Sequence, residues 1–443
     1  MERMFELAGS GLAVITDDGQ EVSYAELKAR TEALAARMRA RSLAFCLCSN
    51  TLDSLVGYVA CLNHGVVPLM LDARIDAALL RRFLDIYDPD YVWRPSAAGA
   101  YELEARESRR GVGLHPDLAL LLTTSGSTGS PKLVRQSYAN IRANTASIVE
   151  YLKLDAAERP ITTLPMNYTY GLSIINTHLA VGATILLTDK TLMQREFWNF
   201  FTARAATSFG GVPYTYEMLD KLLFFRRKLP SLRTMTQAGG KILPELHRKF
   251  AEFAAREGKN FVVMYGQAEA TARMSYLPPE RALDKVGSMG VAIPGGRFEL
   301  VDGELVYYGD NVTLGYAECA EDLAKGDERH GRLVTGDMAR VDEDGFYYIV
   351  GRKKRFLKIY GNRVNLDETE RLVKGRFRDL DCACGGVDDK MQIFVTDQGQ
   401  MQAVRDFVAE KTHLNFAAFN VQYLASIPKN ASGKTLYSEL PAP

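Results

Sequence analysis

The segment Thr123-Thr124-Ser125-Gly126-Ser127-Thr128-Gly129-Ser130-Pro131-Lys132 constrains this chain more than any other stretch of it. Hydroxyl side chains, two glycines and a closing lysine in one short run suit a polyphosphate ligand. Glycine lets the backbone approach an anion closely and take positive φ. Backbone N–H groups and hydroxyls then donate to phosphate oxygens, and Lys132 adds a cation. The apolar run Leu118-Ala119-Leu120-Leu121-Leu122 reads as a buried strand, and residues 136–152 read as a helix. The loop is therefore expected between a strand and a helix N-terminus, the usual setting for phosphate. Pro131 separates Gly129 from Lys132, so the spacing is not Gly-x-x-x-x-Gly-Lys-Ser/Thr. In isolation the segment would also pass for a surface turn.

With 443 residues the chain is too long for one core, and two or three domains are expected. Lys+Arg and Asp+Glu both number 54, so net charge argues for neither nucleic acid nor an acidic membrane surface as partner. The start, Met1 to Glu6, lacks the apolar stretch of a signal peptide, and no run is long and apolar enough for a membrane span. A cytoplasmic location is expected. The six cysteines make no four-ligand zinc pattern and are expected as reduced thiols. The six scattered histidines suggest no hydrolase triad.

Periodicity predicts an α/β protein. Ser23 and Glu26 read as a capping box opening a helix. The strand 45–48, the helix 52–63 and the strand 66–70 alternate as in a parallel sheet with crossover helices. Strands at 183–187 and 260–264 continue the pattern, with helices at 195–206, 215–225 and 244–256. From about residue 286, closely spaced glycines punctuate short strands, which predicts a β-rich subdomain over 286–351. The run Gly351-Arg352-Lys353-Lys354-Arg355 marks the expected boundary between a large domain, 1–351, and a small α+β domain, 352–443.

Further motifs follow in order. Leu164-Pro165-Met166-Asn167-Tyr168-Thr169-Tyr170-Gly171, Ala238-Gly239-Gly240-Lys241, Tyr265-Gly266-Gln267-Ala268-Glu269, Thr335-Gly336-Asp337, Gly351-Arg352 and Ser432-Gly433-Lys434 span more than 300 residues together with the loop. The set resembles the adenylate-forming enzymes: acyl-CoA synthetases, nonribosomal peptide adenylation domains and luciferases. The resemblance implies a large N-terminal domain and a small, mobile C-terminal one. It also implies ATP bound by Thr124, Ser125, Gly126, Ser127, Thr128, Gly129 and Lys132. Gly239, Gly240, Lys241, Tyr265, Gly266 and Gln267 would surround adenine, while Asp337 and Arg352 would reach the ribose or phosphates. Glu269 would bind Mg²⁺, Lys434 would be the catalytic lysine, and Lys354 the hinge. Tyr168, Tyr170, Gly171 and Tyr214 would line the acid pocket.

Two departures stand out. Ala268 replaces the family's usual threonine, with Thr271 the nearest candidate to supply the missing hydroxyl. Tyr437 stands where arginine is frequent. The implied reaction joins a carboxylic acid to AMP with release of pyrophosphate. The acyl group then passes to a pantetheine thiol of coenzyme A or of a carrier protein. The shortened C-terminal domain favours the carrier. Thr169 offers no anion for an α-ammonium group, which tilts against α-amino acids, and the aromatic walls Tyr168, Tyr170 and Tyr214 suggest an aryl or short-chain acyl acid. Amino-acid adenylation for a carrier protein, and a degenerate nucleotide-binding regulator, remain the alternatives.

Overall fold

The computed structural model describes residues 3–8, 11–97, 99–109, 113–123, 132–429 and 435–441. A seven-stranded sheet forms the first layer. Its centre is parallel: Leu43–Cys48 pairs with Val67–Asp72, which pairs with Leu118–Thr123. The helix Leu52–Asn63 crosses between the first two, as the alternation predicts. Every residue of Leu43–Cys48 is buried, as expected of a parallel strand covered on both faces. A second sheet orders Ser208–Gly211, Thr234–Gln237 and Asn260–Tyr265 in parallel, then turns antiparallel through Ser275–Tyr276 and Val291–Ala292. Phe197, Phe201, Tyr216, Phe224, Phe250 and Phe261 pack against that sheet as one aromatic core. Each such ring contributes about 1.5–3 kcal/mol by leaving water.

One expectation fails at the phosphate loop. After it comes a strand, Leu133–Ser137, antiparallel to Leu118–Thr123; the helix starts only at Tyr138 and runs to Leu152. Gln136 and Ser137 thus belong to a strand, and segment 124–131 joins two antiparallel neighbours. No helix N-terminus follows the loop directly, so the helix-dipole part of the phosphate argument does not apply. Ser137 instead caps the later helix by accepting from the Asn140 N–H at 3.1 Å. At the other end of the chain's first helix, Ser23 does accept from the Glu26 N–H, but the Glu26 carboxylate pairs with Arg30 at 2.6 Å.

The β-rich region is a four-stranded antiparallel sheet of Gly296–Val301, Glu304–Gly309, Arg332–Val341 and Tyr347–Arg352. The last strand runs through Arg352, whose backbone partner is Asp337. The C-terminal unit follows, with its own core. A two-stranded pair, Phe356–Ile359 and Asn362–Asn365, precedes the helix Leu366–Arg376. A three-stranded sheet of Cys382–Val387, Lys390–Val395 and Phe419–Tyr423 then packs on that helix and on Met401–Thr412. The fold is thus α/β with a large N-terminal part and a small α+β C-terminal part. Asn365 ties the two. Its Oδ1 caps the helix by accepting from the N–H groups of Asp367 and Glu368, and its Nδ2 donates to the Val350 carbonyl at 2.7 Å. A Cβ on Gly351 would lie 2.1 Å from that Nδ2, so a larger residue there would push the Asn365 amide out of this crossing. All six cysteines are unpaired. Among the described residues no helix is long and apolar enough to cross a membrane.

Candidate active site

The strand Asn260–Tyr265 delivers the motif Tyr265-Gly266-Gln267-Ala268-Glu269 to its C-terminal end. Gly266 is sterically required, because a Cβ there would meet the Ala272 carbonyl oxygen at 1.7 Å. The tight return lets Tyr265 and Gln267 face Asp337. The Tyr265 hydroxyl donates to Asp337 Oδ2 at 2.5 Å, and Gln267 Nε2 donates to the same oxygen at 3.0 Å. Arg352 Nε stands 3.7 Å from Asp337 Oδ1. Burial pushes the Asp337 carboxyl above its ordinary range, against the hydrogen bonds and the Arg352 charge. Four residues from three motifs therefore form one network, with Oδ1 taken by neither Tyr265 nor Gln267.

Glu269 lies beside this network. With Gln267, Tyr316, Arg329, Arg332 and Thr335 it lines an open cavity of about 300 Å³. The Tyr316 hydroxyl donates to Glu269 Oε1 at 2.7 Å. Burial, then the Glu269 charge, pushes that hydroxyl up to about 12, so it remains a donor at neutral pH. Lys132, from the far side of the phosphate loop, places Nζ 3.8 Å from the Tyr316 ring centre and 3.1 Å from Glu318 Oε1. Arg329 places Cζ 4.6 Å from the same ring. Buried Arg135 fixes this arrangement. Its Nε donates to the Tyr316 carbonyl at 2.9 Å, other nitrogens donate to the carbonyls of Leu314 and Gly326, and it pairs with Glu328. The sequence reading named neither Tyr316 nor Arg329.

The acid-pocket candidates separate by depth. Tyr168 precedes the helix Thr169–Ala180 and packs its hydroxyl on Gly239, where a Cβ would lie 2.6 Å away; Gly239 also has φ +83°. Gly240 abuts Pro213. Tyr170 is buried, its hydroxyl 2.7 Å from Thr236 Oγ1. Gly171 lies against the Pro165 carbonyl. Tyr214 is 47% exposed, with Lys429 Nζ 5.4 Å from its ring centre. Lys241 Nζ donates to the Ile349 carbonyl at 2.7 Å. Lys354 is exposed in the turn after Arg352. Residues Thr124, Ser125, Gly126, Ser127, Thr128, Gly129 and Lys434 lie outside the described residues.

Thr271 does not replace the hydroxyl missing at Ala268. It is 6% exposed, holds φ +65°, and its Oγ1 donates to the Asn311 carbonyl at 2.7 Å. Its own carbonyl accepts from the Thr169 hydroxyl. A β-branched residue at positive φ is strained, and the hydrogen bonds on both sides explain why it persists. Tyr437, the other departure, has a structural place. Its hydroxyl donates to Glu370 Oε2 at 2.9 Å, and Arg355 Cζ lies 3.7 Å from its ring centre.

Comparison with known proteins agrees with this geometry. The family model for AMP-binding enzymes matches residues 8–317, and the chain belongs to that family. The chain is 29% identical over 364 residues to 4-coumarate–CoA ligase-like 2 of Arabidopsis thaliana, covering 76% of this chain and 64% of that protein. It thus spans less than two thirds of the length of such plant ligases. Its fold is that of Bacillus subtilis o-succinylbenzoate CoA synthetase in complex with an acyl-adenylate intermediate. The TM-score is 0.80 at 22% identity, over 98% of this chain and 95% of that one. The same enzyme in complex with ATP and magnesium ion gives a TM-score of 0.78 at 22% identity, over 97% and 96%.

Proposed function

We propose that the chain activates a carboxylic acid with ATP, forming an acyl adenylate and pyrophosphate, and then passes the acyl group to a pantetheine thiol. The observation that carries this reading is the meeting of Lys132, Glu269 and Asp337, distant in sequence, around one cavity and its adjoining network. A substrate carboxylate oxygen attacks the α-phosphorus, and the bond to the leaving pyrophosphate breaks. An anion attacks a polyanion, so catalysis is mainly positioning and charge neutralisation. Lys132 and residues 124–129 hold the terminal phosphates. Asp337 Oδ1 accepts from the ribose hydroxyls while Tyr265 and Gln267 keep the carboxylate in place.

The residues present fit a magnesium ion bound together with substrate. No group of three or more His, Cys, Asp or Glu among the described residues could hold a metal ion, so a metal here needs phosphate oxygens beside one carboxylate. Glu269 faces the cavity as that carboxylate, oriented by Tyr316. When bound, the ion supplies charge neutralisation at the phosphates.

Lys434 comes from the tail. Its assignment rests on the motif Ser432-Gly433-Lys434. The second step needs the small domain, divided from the large one at 351/352, to turn about Lys354 and withdraw Lys434. An aryl or short-chain acid suits the wall of Tyr168 on Gly239, and Thr169, engaged with Thr271, leaves no anion for an ammonium group. Coenzyme A or a carrier protein in the cytoplasm is the acceptor.

The test is carboxylate-dependent exchange of pyrophosphate into ATP across aryl, short-chain and amino acids, followed by thioester formation with coenzyme A or a holo carrier protein. Exchange with an aryl or short-chain acid is expected. Exchange with amino acids alone would move the assignment to the alternative class, and no exchange with any acid would remove the activity.

A further inference from the structure

The cavity beside Glu269 contains a cation that the proposed reaction has not yet used. Arg329 is half-buried at the rim of the 300 Å³ space, on the loop leading into Arg332–Val341. No carboxylate among the described residues lies within 4 Å of its guanidinium. The nearby acids are engaged elsewhere: Glu328 pairs with Arg135, Glu318 with Lys132, and Glu269 accepts from Tyr316. Asp327 accepts from the backbone N–H groups of Arg329 and His330, which shapes the loop without neutralising the side chain. What holds the guanidinium is the Tyr316 ring, which Lys132 also approaches. Lys132 shares that ring but is paired with Glu318, so Arg329 is the cation left facing Glu269 and the open space without an ion pair among the described residues.

We infer that Arg329 is a second phosphate-binding cation, placed by Tyr316 beside Lys132 to grip the terminal phosphates of the nucleotide and the departing pyrophosphate. This rests on the adenylation reading above. Three physical points carry it. A guanidinium offers paired donors that match two phosphate oxygens, which an ammonium does not. The cavity volume is at the lower end for ligand sites, suited to part of a nucleotide. Arg135 ties the carbonyls of Leu314, Tyr316 and Gly326 to the strand that follows the phosphate loop, so Tyr316 and the loop carrying Arg329 are held in register with it.

Arg329→Met keeps the side chain's apolar length and removes its charge. ATP, inorganic pyrophosphate and AMP, each with magnesium, are titrated calorimetrically into the full chain. The variant is expected to bind ATP and pyrophosphate roughly 10- to 100-fold more weakly, the range for a hydrogen bond to a charged group. AMP, which lacks the terminal phosphates, is expected to bind as in the wild type. Arg329→Lys should recover part of the loss. If Arg329→Met proves unstable, Arg329→Gln carries the same test. Unchanged pyrophosphate affinity in a folded variant, or an equal loss for AMP, overturns the role of Arg329 alone. Wild-type protein that binds neither ATP nor pyrophosphate overturns the adenylation reading, and this inference with it.

Discussion

The molecule uses one combination of side chains twice, with opposite results. In the large part, Arg329 lies against Tyr316, whose hydroxyl donates to Glu269. In the small part, Arg355 lies against Tyr437, whose hydroxyl donates to Glu370. The difference is in what surrounds each trio. Arg355 also pairs with both Asp367 and Glu370, and its side chain is only 13% exposed. Every charge there has a partner, so the trio is a staple that fixes the tail to the small core. Among the described residues no carboxylate pairs with Arg329, Lys132 adds a second cation, and open space lies alongside. Residue types alone do not separate a binding site from a structural clamp; charge balance and adjoining volume do.

The largest expected effect is on the closed trio. Arg355→Met leaves Glu370 and Asp367 unpaired in a low-dielectric setting and should cost about 3–5 kcal/mol in denaturant unfolding. Arg329→Met should leave the midpoint near that of the wild type, and equal losses would erase the contrast. Next comes the lysine that the stapled tail carries. Lys434→Ala should lower acid-dependent pyrophosphate exchange about 100- to 1000-fold, the usual result of losing one stabilising donor, while ATP still binds. Wild-type exchange would detach the tail from the open site.

Histidine titration should then act on the large part. The buried histidines, His178 and His247, both belong to the large part, and burial lowers each to about 4. The unfolded chain takes up these protons near pH 6.5 and the folded one near pH 4. Stability is therefore held above pH 6.5 and lost as pH falls between those values, by about 2 kcal/mol per histidine at pH 5. The fall in urea midpoint from pH 7 to pH 5 should shrink in His178→Gln, and an undiminished fall would contradict the assignment. Smallest is the hydroxyl comparison. Tyr437→Phe should lose about 1.5 kcal/mol, as for a hydrogen bond to a charged group. Tyr316→Phe should instead alter the magnesium dependence of ATP binding with little change in midpoint. The reverse pattern would exchange the roles of the two trios.

The sequence shows much of this architecture, and its gaps have physical causes. The run 43–48 and the helix 52–63 are legible because a strand buried on both faces must be apolar throughout. Glu269, Asp337 and Tyr265 are legible because glycine-containing motifs mark the turns that present them. The strand after the phosphate loop was hidden by its own content. Leu133-Val134-Arg135-Gln136-Ser137 carries a charge at its centre, and Arg135 is buried because Glu328 and four carbonyls about 180 to 190 residues onward come to meet it. Arg329 sits in Asp327-Glu328-Arg329-His330, a run that reads as a solvated loop until Tyr316 is placed beneath it. Tyr437 reads as a lost arginine because its partners, Arg355 and Glu370, lie in other elements. In each case a long-range partner decides, and local patterning carries no trace of it.

The crossing of Gly351 and Asn365 has a further consequence. One amide side chain both starts a helix of the small part and holds a strand carbonyl of the large part. In the proposed turn of the small part this contact must break, together with the Arg378–Glu245 ion pair, and it leaves no room for an added atom at 351. A methyl group there would act as a wedge, shifting how long the molecule dwells in this posture without touching any substrate. In the proposed reaction, Gly351→Ala is thus a dial on timing alone.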